Sequence, residues 1–346
     1  MASIYEYSKE ELTSYLSGEP AYRLEQLWHG LWSDALGLEE ITTIPKSLRA
    51  DLRQHFPESL RVVNDVESDH GVTRKWVFAL EDGETIETVL MHYDDRVTVC
   101  ISSQAGCAMG CTFCATGQAG YSGQLSVGQV VEQVMFATRA AAPARLSNVV
   151  FMGMGEPLAN YATTVGVVRR LNEYRGLSAR HLTVSTVGVA PAIERLAQEG
   201  LPITLAVSLH AANDDTRNEL VPLNRRYPLE RLHEACRTWI EQTGRRISFE
   251  WALIDGVNDT DTAVSELADY ALSLGAHVNL IPLNPTPGYL VRGSSTQRVR
   301  EFRDALVAQG VNATVRNTRG RSIAAACGQL ATVTKKQRRS LPVSAG

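Results

Sequence analysis

Three cysteines fall within eight residues, at Cys107, Cys111 and Cys114, in the pattern Cys-x3-Cys-x2-Cys. They belong to the segment CISSQAGCAMGCTFCATG, Cys100 to Gly117, whose glycines permit a tight loop. Three thiolates so spaced can each take one iron of a 4Fe-4S cubane, leaving the fourth iron without a protein ligand. The competing chemistry is a structural zinc site. Zinc asks for four closed ligands, usually as two Cys-x2-Cys pairs, and only one such pair is present. Three further cysteines, Cys100, Cys236 and Cys327, stand outside this cluster. Cys236 recurs with Leu232, Ala235, Trp239 and Ile240 at helical spacing and reads as a buried apolar thiol.

The chain that must position these thiols has 346 residues, 44% hydrophobic and 21% charged. At roughly 100–200 residues per domain it holds one large domain, alone or with a small partner. No run of about 18 apolar residues suggests a membrane span, and MASIYEYSKEEL lacks the apolar core of a signal peptide. A cytoplasmic protein is expected, where cysteines tend toward metal or catalytic roles. Net charge is −4, unevenly spread. Residues 1–60 carry ten Asp/Glu against five Lys/Arg, and residues 310–346 carry seven Lys/Arg and no acid. The basic end, with KKQRR at Lys335–Arg339, suggests a polyanion partner or a solvated tail.

Residues 1–70 read as a small helical module: Ser8 and Glu11 form a capping box, and Tyr22–Leu36 and Ser47–His55 show helical spacing. Residues 71–96 read as a β-hairpin, Val72–Leu80 and Thr85–Tyr93 around the turn EDGE. From Val97, strands at 97–102, 148–152, 181–186, 203–209, 247–254 and 277–281 alternate with helices at 126–141, 163–174, 190–198, 229–242, 261–274 and 295–309. This α/β alternation predicts an incomplete TIM-like (β/α)6 barrel over residues 97–330, followed by a basic tail at 331–346. Chemistry in such folds gathers at the C-terminal ends of the strands, where the cysteine cluster and most other polar motifs fall.

With Phe113 just before its third cysteine, the cluster resembles that of the radical S-adenosylmethionine (SAM) superfamily, where the open iron chelates the amino and carboxylate groups of SAM. Further stretches extend the likeness over most of the chain: IETVL (Ile86–Leu90), FMGMGEPLAN (Phe151–Asn160), TVSTVG (Thr183–Gly188), AVSLHA (Ala206–Ala211), NLIPLNP (Asn279–Pro285) and AAACGQL (Ala324–Leu330). Together they resemble the bacterial ribosomal and transfer RNA adenine carbon-2 methyltransferases. The resemblance implies a partial radical SAM barrel, one 4Fe-4S cluster on Cys107, Cys111 and Cys114, and two SAM per turnover. It places Gly155 and Glu156 at the SAM amino group, and Ser185, Ser208, Leu209, His210 and Asn284 around the rest of the SAM pocket. Taken singly, the two serines and the histidine could equally be strand-end, turn or core residues.

Adenine carbon 2 is electron-poor, so direct displacement on SAM fails there. The resemblance implies a detour instead. Cys327 thiolate takes a methyl group from SAM, and a 5′-deoxyadenosyl radical then removes one of its hydrogens. The methylene radical adds to carbon 2, Glu87 accepts the proton, and Cys100 releases the product by forming a disulfide with Cys327. Without the resemblance Glu87 reads as a surface hairpin residue. The implied partners are 23S rRNA, transfer RNA and a reductant such as flavodoxin, with the protein a monomer. Arg169–Arg170, Arg225–Arg226, Arg245–Arg246, Arg316, Arg319 and Arg321 are further candidates for phosphate contact. The acidic N-terminal module is not expected to contact phosphate. Rival readings are the sister family acting on carbon 8, a glycyl-radical-enzyme activase with no use for Cys327, and a non-enzymatic iron–sulfur RNA-binding or electron-transfer protein, which usually has four cysteine ligands.

Overall fold

A computed structural model describes residues 2–286, 291–316 and 319–330. The basic tail at 331–346 lies outside the described residues. Ser8 caps the first helix as its sequence predicts: its hydroxyl accepts from the Glu11 amide at 3.2 Å, and Glu11 accepts from the Ser8 amide at 2.7 Å. Helices α1 (Lys9–Tyr15), α2 (Tyr22–Trp28) and α3 (Lys46–His55) form the N-terminal module. The module continues into β1 (Arg61–Ser68), a strand that the helical reading of residues 1–70 misses. β1 exposes most of its residues, so no buried alternation marks it in the sequence.

β1 pairs antiparallel with β2 (Thr73–Ala79), β2 with β3 (Thr85–His92), and β3 with β4 (Val97–Cys100). The expected hairpin is thus a three-stranded extension that feeds the first barrel strand. A short ribbon of β5 (Gln104–Gly106) and β6 (Tyr121–Gln124) flanks the cysteine loop and its helix α4 (Ala115–Ala119). Then follow α5 (Val127–Ala141), β7 (Leu146–Phe151), α6 (Tyr161–Glu173), β8 (Leu182–Thr186), α7 (Ala190–Ala197), β9 (Thr204–Ser208), α8 (Asp214–Leu220), α9 (Leu229–Thr243), β10 (Ser248–Leu253), α10 (Asp261–Ser273), β11 (His277–Pro282), α11 (Thr296–Ala308) and β12 (Asn312–Val315). The sheet order β1-β2-β3-β4-β7-β8-β9-β10-β11-β12 is parallel from β4 onward. β12 adds a parallel strand to the six predicted. Among the described residues the sheet does not close, because β1 and β12 are its two edges.

Strand alternation separates two faces of the extension. Trp76 and Phe78 point outward and pack edge-on against Phe136 of α5, with centroids 5.1 Å apart. Lys75, at the opposite parity, pairs with Val89, which pairs in turn with Cys100. Lys75, Glu87, Val89, Met91 and Cys100 therefore share the inner face. The N-terminal module packs on the outer helices: Trp28 and Trp32 of the module contact Tyr174 beyond α6 at 4.8 and 5.2 Å. Glu6 is used there as well, accepting from the Gly128 amide at 2.6 Å, while its carbonyl accepts from Arg170 at 2.7 Å. No helix among the described residues is long and apolar enough to cross a membrane.

Candidate active site

The strand ends converge on a cavity of about 850 Å3, open mouth included, lined by Cys111, Cys114, Gly155, Glu156, Ser185, Ser208, His210, Asn284, Arg316 and Cys327 among others. Each strand delivers its residue by length alone: β7 ends before Gly155 and Glu156, Ser185 is the penultimate residue of β8, β9 ends at Ser208, and β11 ends two residues before Asn284. Leu209 departs from the expected pocket. Its side chain is fully buried in the core, and it supports the site through its backbone, which bonds to Glu250 and Arg217.

Gly155 has φ +100°, and a Cβ there would stand 2.6 Å from Cβ of Gln104. Only glycine lets this loop pass so close. Gln104, which the sequence did not single out, accepts from the Glu156 amide at 2.8 Å and fixes the turn. The buried Glu156 carboxylate accepts from the amides of Leu158 at 3.0 Å and Val187 at 2.9 Å. Burial outweighs these bonds and pushes its carboxyl up to about 7. His210 sits at φ +61°, edge-on to Phe113 at 4.7 Å. Its Nδ1 accepts from the Ala252 amide at 3.0 Å, which leaves the ring proton on Nε2. Burial, aided by Arg217, lowers its pKa to about 3, so the ring is neutral. Arg217, also missed in the sequence, is buried and donates to the carbonyls of Leu209 at 3.0 Å and Val187 at 2.7 Å, tying adjacent strand ends together.

The cysteine loop closes tightly on itself. A Cβ at Gly117 would meet backbone N and O of Cys111 at 3.0 Å. Burial raises the thiol pKa of Cys107 to about 12 and that of Cys111 well above the usual range, and neighbouring cysteines of the trio add to both shifts. Cys107 itself is not in the cavity wall. Among the described residues, no three His, Cys, Asp or Glu side chains converge as one metal ion would require. A cubane does not ask for that convergence, because each thiolate takes a different iron. Three neighbouring sulfurs beside an open cavity fit a cluster with one iron free for a ligand.

A second, narrower cavity is lined by Cys100 and Cys327, with Met91, Tyr93 and Arg319. Met152, Ile281, Arg316 and Cys327 line both cavities and form the wall between them. Cys327 is held by its neighbours: its carbonyl accepts from Asn284 at 3.1 Å, and the Gly328 carbonyl accepts from the Ala115 amide at 2.8 Å. Arg316 lies 3.6 Å from Glu250, which Asn279 and Ser248 hold at 2.7 and 3.1 Å. The Cys327 sulfur, then Glu250, hold the Arg316 guanidinium above its usual range against burial. Arg316 is thus an internal cation of the site and not the surface phosphate contact its sequence suggested. Arg169, Arg170 and Arg245 are likewise tied into the fold, to Glu199, Glu6 and Ile203. Cys100 is buried, with its thiol pushed up to about 12. Glu87 is no surface residue. It is 4% exposed on the inner face, 3.4 Å from Lys75, and burial raises its pKa. Cys236 is buried within α9, as its helical spacing predicts.

A cysteine-loop cavity at the strand ends of an open parallel barrel defines a radical SAM protein, and residues 101–268 match the radical SAM superfamily model. A 4Fe-4S cluster and SAM are the cofactors of that class. The chain belongs to the RlmN family of dual-specificity RNA methyltransferases. It is 51% identical to the "Probable dual-specificity RNA methyltransferase RlmN" of Frankia casuarinae over 91% of this chain and 78% of that protein. It is 47% identical to "Dual-specificity RNA methyltransferase RlmN 1" of Myxococcus xanthus over 99% of this chain and 98% of that one. A crystal structure of a radical SAM methyltransferase from Sphaerobacter thermophilus superposes with a TM-score of 0.92, at 48% identity over 95% of this chain and 99% of that chain.

Proposed function

We propose that this protein is a SAM-dependent methyltransferase acting on carbon 2 of adenine in 23S rRNA and in transfer RNA, with Cys327 as methyl carrier and Cys100 as its resolving partner. The placement of Cys327 carries this reading. It lies in the wall between the two cavities, with cluster ligands Cys111 and Cys114 on one side and Cys100 on the other. The relatives' names support RNA as substrate, and carbon 2 over carbon 8 follows the RlmN naming. Each turnover uses two SAM, one as methyl donor and one as radical source, and flavodoxin is the proposed reductant.

Cys107, Cys111 and Cys114 would hold the cluster, which would supply one-electron reduction to bound SAM. The protein's own groups do the rest. Cys327 acts as thiolate nucleophile toward the SAM methyl group, with the Arg316 cation beside it. Glu87 takes the proton from carbon 2 once Cys327 is joined to the base, and the adduct's unpaired electron passes back to the redox chain that supplied it, which leaves a closed-shell adduct; a buried carboxylate with a raised pKa suits a proton acceptor. Cys100 thiolate then attacks the Cys327 sulfur. The S–S bond forms, the S–CH2 bond breaks, and the released carbon gains a proton to become the methyl group. Ser185, Ser208, His210 and Asn284 line the SAM cavity, and Gly155 with Glu156 hold the SAM ammonium.

Mass spectrometry of RNA from cells with and without the gene tests the reading. The expected result is 2-methyladenosine that disappears with the gene. Loss of 8-methyladenosine instead would assign the protein to the carbon-8 chemistry. The ammonium contact has its own signature. Glu156→Gln should weaken SAM binding by about 10- to 100-fold, the value of a charged hydrogen bond. Wild-type affinity should rise as pH passes upward through about 7, where the carboxylate forms. Calorimetric titration at several pH values measures both.

A further inference from the structure

Lys75 is a charged residue that the reaction above does not use, yet it is 7% exposed and on the inner face. Its ammonium reaches two groups from separate parts of the chain. It donates to the Ala324 carbonyl at 3.1 Å, three residues before Cys327, and stands 3.4 Å from Oε2 of Glu87. That oxygen is buried and has no aligned hydrogen-bond donor among the described residues. The C-terminal segment also packs on the same strand: a Cβ at Gly320 would stand 3.0 Å from Cγ2 of Thr73.

We propose that Lys75 is a positioning residue that holds the Cys327-bearing segment and the Glu87 carboxylate in one frame. The inference rests on the reading of Glu87 as proton acceptor. A methyl carrier and a proton acceptor must meet at the same carbon, and a shared ammonium fixes their separation. The ammonium also opposes the burial that favours protonation of Glu87. Among the described residues, the charged or titratable groups around Glu87 are Lys75 from β2 and, diagonally across the register, the Cys100 thiol from β4. From the C-terminal segment the Ala324 carbonyl accepts from the Lys75 ammonium. On the far side of the sheet α5 presents the neutral Gln133 to Thr88.

Two neutral variants separate the two tasks. Lys75→Met removes both contacts. Amide exchange in residues 320–330 of the protein without substrate should quicken by about tenfold or more, as for a segment losing an anchor. The acidic limb of the pH–activity profile should move up by about one unit, because nothing then opposes burial of Glu87. Lys75→Gln can still donate to Ala324, so it should keep slow exchange and still move the limb. Unchanged exchange and an unchanged limb in Lys75→Met would overturn the proposal. If Lys75→Met does not fold, an unmoved limb in Lys75→Gln overturns it instead. Glu87→Gln keeps the two failures apart. Normal turnover in that variant removes Glu87 as proton acceptor, while the exchange measurement still decides whether Lys75 holds the segment.

Discussion

Replacing Cys100 by Ala is expected to give a protein that joins RNA and cannot release it. Cys327 still stands between the two cavities, so methyl loading and attachment to adenine proceed. The thiol that should break the S–CH2 bond is missing. A covalent protein–RNA species should accumulate, visible as a slow band that ribonuclease collapses and mass spectrometry maps to Cys327. Turnover should fall by at least about a thousandfold, as for loss of a nucleophile. Cys327→Ala should fail differently, with no methylated protein, no adduct and no product. Normal turnover by Cys100→Ala, or methylation by Cys327→Ala, would remove the proposed mechanism and leave the cluster assignment standing.

The second large effect concerns the cluster. Wild-type protein reconstituted without oxygen should hold about four irons per chain, as one cubane requires. Cys107→Ala, Cys111→Ala or Cys114→Ala should each lose the cluster and all activity, since a cubane left with two thiolates has a second iron without a protein ligand. Iron and sulfide counting with the visible absorption spectrum measures this. Protein purified without oxygen that carries stoichiometric zinc and no iron would end the reading.

Much of this site is legible in the sequence because a parallel barrel writes its active site at strand ends. Once β7, β8, β9 and β11 are read from their apolar runs, Gly155, Ser185, Ser208 and Asn284 must emerge on one side. The capping box at Ser8 and the buried thiol of Cys236 are legible for a similar reason, since both are set by neighbours within a few helical turns. What the sequence hides is long-range. Lys75 meets Ala324 across 249 positions, and no local pattern announces that contact. Arg316 looks like one more basic residue near a basic end, and only the fold reveals Glu250 and Cys327 beside it. Leu209 is the reverse case: it follows the pocket-lining residue Ser208 just past the end of β9, and its side chain is buried in the core. β1 escapes because both its faces are largely exposed.

The wall of Met152, Ile281, Arg316 and Cys327 has a consequence for rate. On the proposed mechanism, a methyl group parked on Cys327 is a reagent on a leash. The small residues of Ala324–Gly328 give it reach, and anchors at Ala324, Cys327 and Gly328 limit that reach to the two adjoining cavities. Such confinement replaces a diffusional encounter by an intramolecular one, where effective molarities can reach about 10^5 M or more. The reagent also cannot escape between loading and use. Lengthening the leash by inserted residues would dilute it, so the spacing between Ala324 and Gly328 is itself a kinetic parameter of the enzyme.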